Sequence, residues 1–440
     1  MQQVDQIIHA RWIIPVEPSQ TILHHHGIAI DDGKIIALCD SAEIKTRYQS
    51  SQVHELDGHV LIPGLINTHT HAAMSLMRGL ADDLPLMTWL NDHIWPTESK
   101  WVSKDFVRQG TEQAVAEMIR SGTTCFNDMY FFPDAAAAVA SAAGIRAVVG
   151  MIVIDFPSAW ATNWEEYFDK GLAVHDQFRA DELVTTAFAP HAPYSVGNEP
   201  LQKILTYSDE LDIPVHMHVH ETQDEIDQGQ ERYGSRRLHR LQDLGLLTRS
   251  LVAVHMIHLQ QDEIRRFAES GAHVVHCAQS NMKLANGFCP LPQLLDAGIN
   301  VALGTDGAAS NNDLDMLAEM QTAAMLGKAV AKDPAAVSSE QALAMATING
   351  ARALGIDDIT GSLQVGKAAD IAAIDLAQLE TQPLYNPVSQ IVYAASRDQV
   401  THVWCNGKTL LQNRELLTLN MDKLMANAND WQARLQDHHE

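Results

Sequence analysis

Val60-Leu61-Ile62-Pro63-Gly64-Leu65-Ile66-Asn67-Thr68-His69-Thr70-His71 is a short apolar run that ends in two histidines. Residues two apart at the end of an extended strand point to the same face. His69 and His71 can therefore each offer a neutral imidazole nitrogen to one ion, and imidazole suits zinc or iron. The pattern recurs along the chain. His218 with Glu221 in HVHE (218–221), His255 in AVHMIHL (253–259) and Asp306 in GTDGAASNN (304–312) each follow another short apolar run.

The runs read as strands are 61–67, 123–127, 145–154, 183–189, 213–218, 251–255, 272–277 and 299–304. Helical segments lie between them, such as one capped by Ser103 and ended by Gly122, and an alanine-rich one from Asp134 to Gly144. Alternation of this kind predicts a parallel sheet, and a count near eight predicts an α/β fold of the (β/α)8 TIM barrel type. Residues 61–360 form this barrel in our reading. The flanks, 1–60 and 361–440, carry short strands with turns at Asp31-Asp32-Gly33 and Asn406-Gly407, and predict a small β-sandwich built from both chain ends. A closing helix over 421–435 places Leu424, Ala428, Trp431 and Leu435 on one side.

Bulk properties narrow the function classes. A net charge of -25 sets the chain against nucleic-acid backbones and anionic membranes, which would repel it. The N-terminal residues lack the pattern of a signal peptide, and no stretch reaches membrane-spanning length. Five cysteines, an odd number without a CxxC pair, suit reduced thiols and a cytoplasmic location. They also remove the Cys-x-x-Cys zinc site of cytidine deaminases.

In a barrel enzyme the catalytic groups sit at the C-terminal ends of the strands, where every candidate above falls. At this point PGLINTHTH (63–71), HVHE, HCAQSNMKLANG (276–287), GTDGAASNN and GSLQVGKAADI (361–371) resemble the amidohydrolase superfamily. The branch it is most similar to holds the 5-methylthioadenosine/S-adenosylhomocysteine deaminases and is related to the triazine hydrolases. The resemblance implies that His69, His71, His218 and Asp306 bind one divalent metal, usually zinc, with iron(II) compatible. Two-metal relatives use a carboxylated lysine on the fourth strand, and 183–190 contains none.

Metal binding would bring the pKa of a water to about 7, making hydroxide available. Asp306 can take the water's proton and pass it to the leaving amine, His255 can orient the hydroxide, and Glu221 can protonate a ring nitrogen beside the attacked carbon. His191, in APHAPYS, matches a substrate-contacting histidine of the branch. Glu98 matches a carboxylate that accepts hydrogen bonds from the ribose 2′- and 3′-hydroxyls. The reaction expected is hydrolytic deamination of 5′-methylthioadenosine to 5′-methylthioinosine and ammonia, with S-adenosylhomocysteine, adenosine or 5′-deoxyadenosine as further purine nucleoside substrates. No arginine stands out in the sequence to meet a homocysteine carboxylate. Two alternatives stay open: a guanine or triazine aminohydrolase or chlorohydrolase, and a non-catalytic scaffold. Analogy with such barrels predicts a homo-oligomer.

The other histidines read as less telling. His216 and His220 are expected as spacing or supporting residues, His258 as structural, and His276 as either buried or touching substrate. His24, His25 and His26 read as a surface loop. Residues 82–100, with Met87, Trp89, Leu90 and Trp95, read as an active-site loop or as helix core.

Overall fold

A computed structural model describes residues 1–436. Eight parallel strands follow one another around a barrel: Leu65–Thr70, Thr123–Asp128, Arg146–Val153, Val184–Pro190, Val215–Val219, Leu251–His255, His273–His276 and Asn300–Leu303. Each pairs with its predecessor in sequence, as expected when a helix returns the chain between parallel neighbours. Ser103 Oγ accepts from the Phe106 amide and starts the helix Lys104–Arg120, and Gly144, at φ 82°, ends Pro133–Ala143. Seven of the eight apolar runs and both helices are where the sequence places them, and the first strand is shifted from 61–67 to Leu65–Thr70.

The first and eighth strands close the barrel through side chains. Asn67 Nδ2 donates to Thr305 Oγ1 at 2.8 Å, its Oδ1 accepts from the Thr305 amide at 2.9 Å, and the Asp306 amide donates to the His69 carbonyl. A Cβ on Gly304 would lie 2.7 Å from the His69 backbone nitrogen, so only glycine permits this approach. Beneath the site, Ile66, Cys125, Val148 and Ala187 pack with the helix Ile348–Ala353, which fills the barrel's lower end.

The run that opened the sequence reading is divided between two sheets. Val53–Pro63 belongs to a mixed eight-stranded sheet made from both chain ends, and the barrel begins at Leu65. This second sheet curls over its own core of Ile8, Ile28, Ile35, Leu61, Ile371 and Trp404. Its two glycine turns meet: a Cβ on Gly33 would lie 2.8 Å from the Asn406 carbonyl, and one on Gly407 would lie 2.8 Å from Gly33 Cα. Both glycines have positive φ, as two-residue hairpin turns of this hand require. His24, His25 and His26 are on the surface, as expected, but in the strand Leu23–Asp31 rather than a loop. The closing helix spans Met421–Gln436 and buries Leu424, Trp431 and Leu435.

One buried ion pair ties the barrel to the end sheet. Arg146, opening the third barrel strand, places Nε 3.0 Å from Asp370 Oδ2, and Asp370 Oδ1 accepts from the Asn406 amide at 2.6 Å. Burial alone would lower the Arg146 pKa, but Asp370 outweighs it and raises it. Removing one partner strands a buried charge, so Asp370→Ala should cost about 3–5 kcal/mol of stability. The check is the chemical-unfolding midpoint, and Arg146→Met combined with Asp370→Leu should recover most of the loss.

Candidate metal centre and active site

Four ligand-type side chains converge at the top of the barrel. His69 lies on the first strand and His71 just past its end; His218 is on the fifth strand; Asp306 follows the eighth, in a left-handed backbone conformation at φ 63°. His69 Nε2 is 3.2 Å from His218 Nε2 and 3.3 Å from Asp306 Oδ1, and His71 Nε2 is 3.3 Å from the same oxygen. Ligands about 2.0 Å from a tetrahedral ion stand about 3.3 Å apart, so these separations suit one ion the size of zinc. The ligand atoms gather in two groups that share His69, each within 4.8 Å: His69, His71 and Asp306, and His69, His218 and His255.

Neighbouring groups orient each ring. His71 Nδ1–H donates to the Met129 carbonyl at 2.6 Å, and His218 Nδ1–H donates to the His191 carbonyl at 2.9 Å. With the proton held on Nδ1, His71 turns its Nε2 toward Asp306 and His218 turns its Nε2 toward that of His69. His69 Nδ1 meets His216 Nε2 at 3.0 Å, in the tautomer that again leaves the His69 Nε2 lone pair inward. Asp306 Oδ2 accepts from Ser280 Oγ at 2.6 Å and Ser310 Oγ at 2.9 Å, which leaves Oδ1 to face the imidazoles.

The charges agree with a cation site. Burial pushes the Asp306 carboxyl up, but its bonds to His69 and His71 outweigh this and hold it well below the usual carboxylate range. Burial drives the His69 pKa down to about 4 and the His218 pKa well below its ordinary value. His71 is the exception: burial lowers it, yet Asp306 raises it to about 9, so it carries a proton that a divalent ion would displace. An anionic carboxylate with three imidazoles is a donor set that fits zinc or iron(II).

Above this cluster opens a cavity of about 380 Å³. His71, His191, His218, Glu221, His255 and Asp306 line its inner end, while His69 is fully buried beneath. Residues 82–100 are irregular only over 82–85. From Leu86 they run as consecutive short helical turns to Trp101, and they wall the cavity with Leu86, Trp89, Leu90, Ile94 and Trp95. Glu98 lies on the same wall. Tyr130 OH donates to its Oε1 at 2.7 Å, and burial pushes its carboxyl up to about 7. His191 Nδ1 meets Ser195 Oγ at 3.0 Å, and burial brings its pKa down to about 3.

The remaining histidines separate. His216 supports His69, as above. His220 turns away from the site at φ 54°, its Nε2 accepting from the Leu238 amide. His258 bonds the Asn286 carbonyl, and His276 is buried without lining the cavity. Sequence reasoning missed several members. Asn281 Oδ1 pairs with His255 Nδ1 at 2.9 Å, and Asn286 Nδ2 donates to Glu221 Oε1 at 3.0 Å. Tyr130, Ser280 and Ser310 were also missed. Three of the five fall inside HCAQSNMKLANG. Arg232, which no local sequence signal marks, lines the cavity together with Asp155 and Phe156.

Comparison with known proteins agrees with this geometry. The amidohydrolase family model matches residues 60–410. A 5-methylthioadenosine/S-adenosylhomocysteine deaminase of Teredinibacter turnerae is 48% identical, covering 98% of both chains. The crystal structure of an adenosine deaminase from Xanthomonas campestris with bound zinc superposes with a TM-score of 0.98 at 48% identity, covering 99% of both chains. An atrazine chlorohydrolase from Arthrobacter aurescens, complexed with zinc, shares the fold at a TM-score of 0.90 and 23% identity, over 97% of this chain and 99% of that one.

Losing the group that orients a ligand typically costs a roughly 10–100-fold fall in metal affinity. His216→Ala should weaken zinc binding by that factor, measured by competition with a chelator, while His220→Ala leaves it unchanged.

Proposed function

The chain belongs to the amidohydrolase family, and we propose that it hydrolytically deaminates 5′-methylthioadenosine to 5′-methylthioinosine and ammonia. Family membership and the deaminase relatives make it a metal-dependent hydrolytic deaminase. The observation that carries the substrate reading is one cavity holding both the His–Asp cluster with Glu221 at its inner end and the half-buried carboxylate Glu98 on its wall.

A divalent metal held by His69, His71, His218 and Asp306, zinc in the first instance, supplies a Lewis acid that lowers the pKa of a bound water to about 7. The protein's own groups move the protons. Asp306 takes one proton from the attacking water as its oxygen bonds to C6 of the purine. Glu221, whose carboxyl is raised by burial and so retains its proton more readily, gives it to N1. His255 Nε2, with Nδ1 engaged by Asn281, accepts a hydrogen bond from the attacking oxygen. As the C6–N bond breaks, Asp306 passes its proton to the departing amine. The oxygen's last proton returns to Glu221, and N1 keeps the proton it received.

Glu98 then receives the ribose diol. Tyr130 occupies Oε1, which leaves Oε2 for the hydroxyls. Trp89, Leu90 and Trp95 offer apolar surface to a methylthio group. Arg232 and Asp155 carry charges suited to an amino-acid tail, which keeps S-adenosylhomocysteine among the substrates, with adenosine and 5′-deoxyadenosine beside it. Among the described residues no helix is long and apolar enough to cross a membrane, and all five cysteines are free thiols. In the same reading the chain is cytoplasmic and pairs with copies of itself; exposed Leu379 and Tyr385 are apolar side chains such an interface would cover.

The ultraviolet change from adenine to hypoxanthine, followed with zinc-loaded protein, tests the reading. Turnover of 5′-methylthioadenosine should exceed that of free adenine; no turnover of any nucleoside by zinc-loaded protein would discard it in favour of guanine or triazines. Glu221→Gln cannot supply the N1 proton and should lower kcat by roughly 100–10,000-fold, the usual worth of a general acid. Glu98 binds a diol best when ionised, so kcat/KM for nucleosides should fall as the pH drops below about 7. Glu98→Gln should flatten that limb and spare free adenine. If nucleoside turnover is unchanged, the ribose assignment fails.

A further inference from the structure

Glu221 is held at two levels. Its backbone amide donates to Glu225 Oε2 at 2.9 Å, and the His220 amide donates to Glu225 Oε1 at 3.1 Å, which fixes the main chain after the fifth strand. The carboxyl itself is held from the segment after the seventh strand, by Asn286 Nδ2 on Oε1 at 3.0 Å. The other oxygen, Oε2, stands 3.8 Å from His255 Nε2.

Asn286 is itself pinned. Its backbone amide donates to the Asn281 carbonyl at 3.0 Å, and its carbonyl accepts from His258 Nε2 at 2.9 Å. Ala285 before it and Gly287 after it both have positive φ, at 53° and 122°, so the chain makes a fixed turn that presents the amide. Asn286 is absent from the lining of the catalytic cavity and acts only through Glu221.

An N–H donor on one carboxyl oxygen favours negative charge there, and a proton then resides on the other oxygen. From this geometry we infer that Asn286 is a positioning residue that selects Oε2 of Glu221 as the proton-bearing oxygen and aims it at the substrate ring. This rests on the deaminase reading for the destination of the proton, though not for the contact. The helix Ala278–Lys283 and the turn after it serve both partners of the reaction: Asn281 fixes the ring of His255, and Asn286 fixes the carboxyl of Glu221.

The test is Asn286→Leu, which keeps the branched shape and removes the donor, compared with the parent as zinc-loaded full-length protein. We expect kcat to fall roughly tenfold to a hundredfold with KM within about twofold, since the lost contact serves the proton transfer and not ground-state binding. Bound zinc should be unchanged. A stable analogue of the hydrated purine nucleoside should lose affinity in step with kcat, and the product nucleoside should not. A crystal structure of the variant should show the Glu221 carboxyl turned from its place. A kcat within about twofold of the parent, an equal loss for product and analogue, or an unmoved carboxyl would overturn the inference. Should the leucine variant fail to fold, Asn286→Ser, whose hydroxyl falls short of Oε1, is held to the same outcomes. Parent turnover of 5′-methylthioadenosine bears on the deaminase reading alone. If the parent prefers another aminopurine or a triazine, the variant-to-parent ratio is taken on that substrate, and the carboxyl position reads the inference with no substrate at all.

Discussion

The seam between the first and eighth barrel strands is the constraint on which the site depends. Glycine at 304 lets the two backbones touch, the Asn67 amide clamps Thr305 from both ends, and the Asp306 amide bonds the His69 carbonyl. That seam places a carboxylate from residue 306 against imidazoles from residues 69 and 71. Without closure, His–x–His is a pair of strand-end histidines and Asp306 a loop aspartate. With it, they share an oxygen–nitrogen separation suited to one ion.

Around that seam the protein builds a shell of second contacts that leaves each reactive atom one orientation. Carbonyls of Met129 and His191 hold the Nδ1 protons of His71 and His218, and two serines occupy the outer oxygen of Asp306. The same logic extends to His255 and Glu221, behind which Asn281 and Asn286 stand. Prior fixing of these groups means little reorganisation is needed when charge develops, which is where such sites gain most of their rate.

Legibility differed between fold and site for a physical reason. The barrel was readable because each strand announces itself locally: a buried parallel strand is a short apolar run, and the caps and glycines between runs follow from local backbone chemistry. Residues 82–100 were harder, since their mixture of aromatic, charged and proline residues suits a loop and a wall of short helices alike. The split of residues 60–66 between two sheets was also hidden. Both halves are equally apolar, and only the pairing of Val60 to Pro63 with the strand Ile371–Asp375 tells them apart.

The sequence by itself determined the barrel, the end sheet and the ligand-type residues at the strand ends, because residue type and period are properties of neighbouring positions. Tertiary structure alone decided which histidines matter and how. His216, His218 and His220 alternate identically in sequence, yet one supports a ring, one turns its Nε2 to that of His69 and one turns away. The partners that make this choice come from other strand ends: His69 is 147 residues from His216, and Glu221 is 65 from Asn286. No local pattern carries a contact over that separation; only the closing of the barrel brings such groups within hydrogen-bond reach.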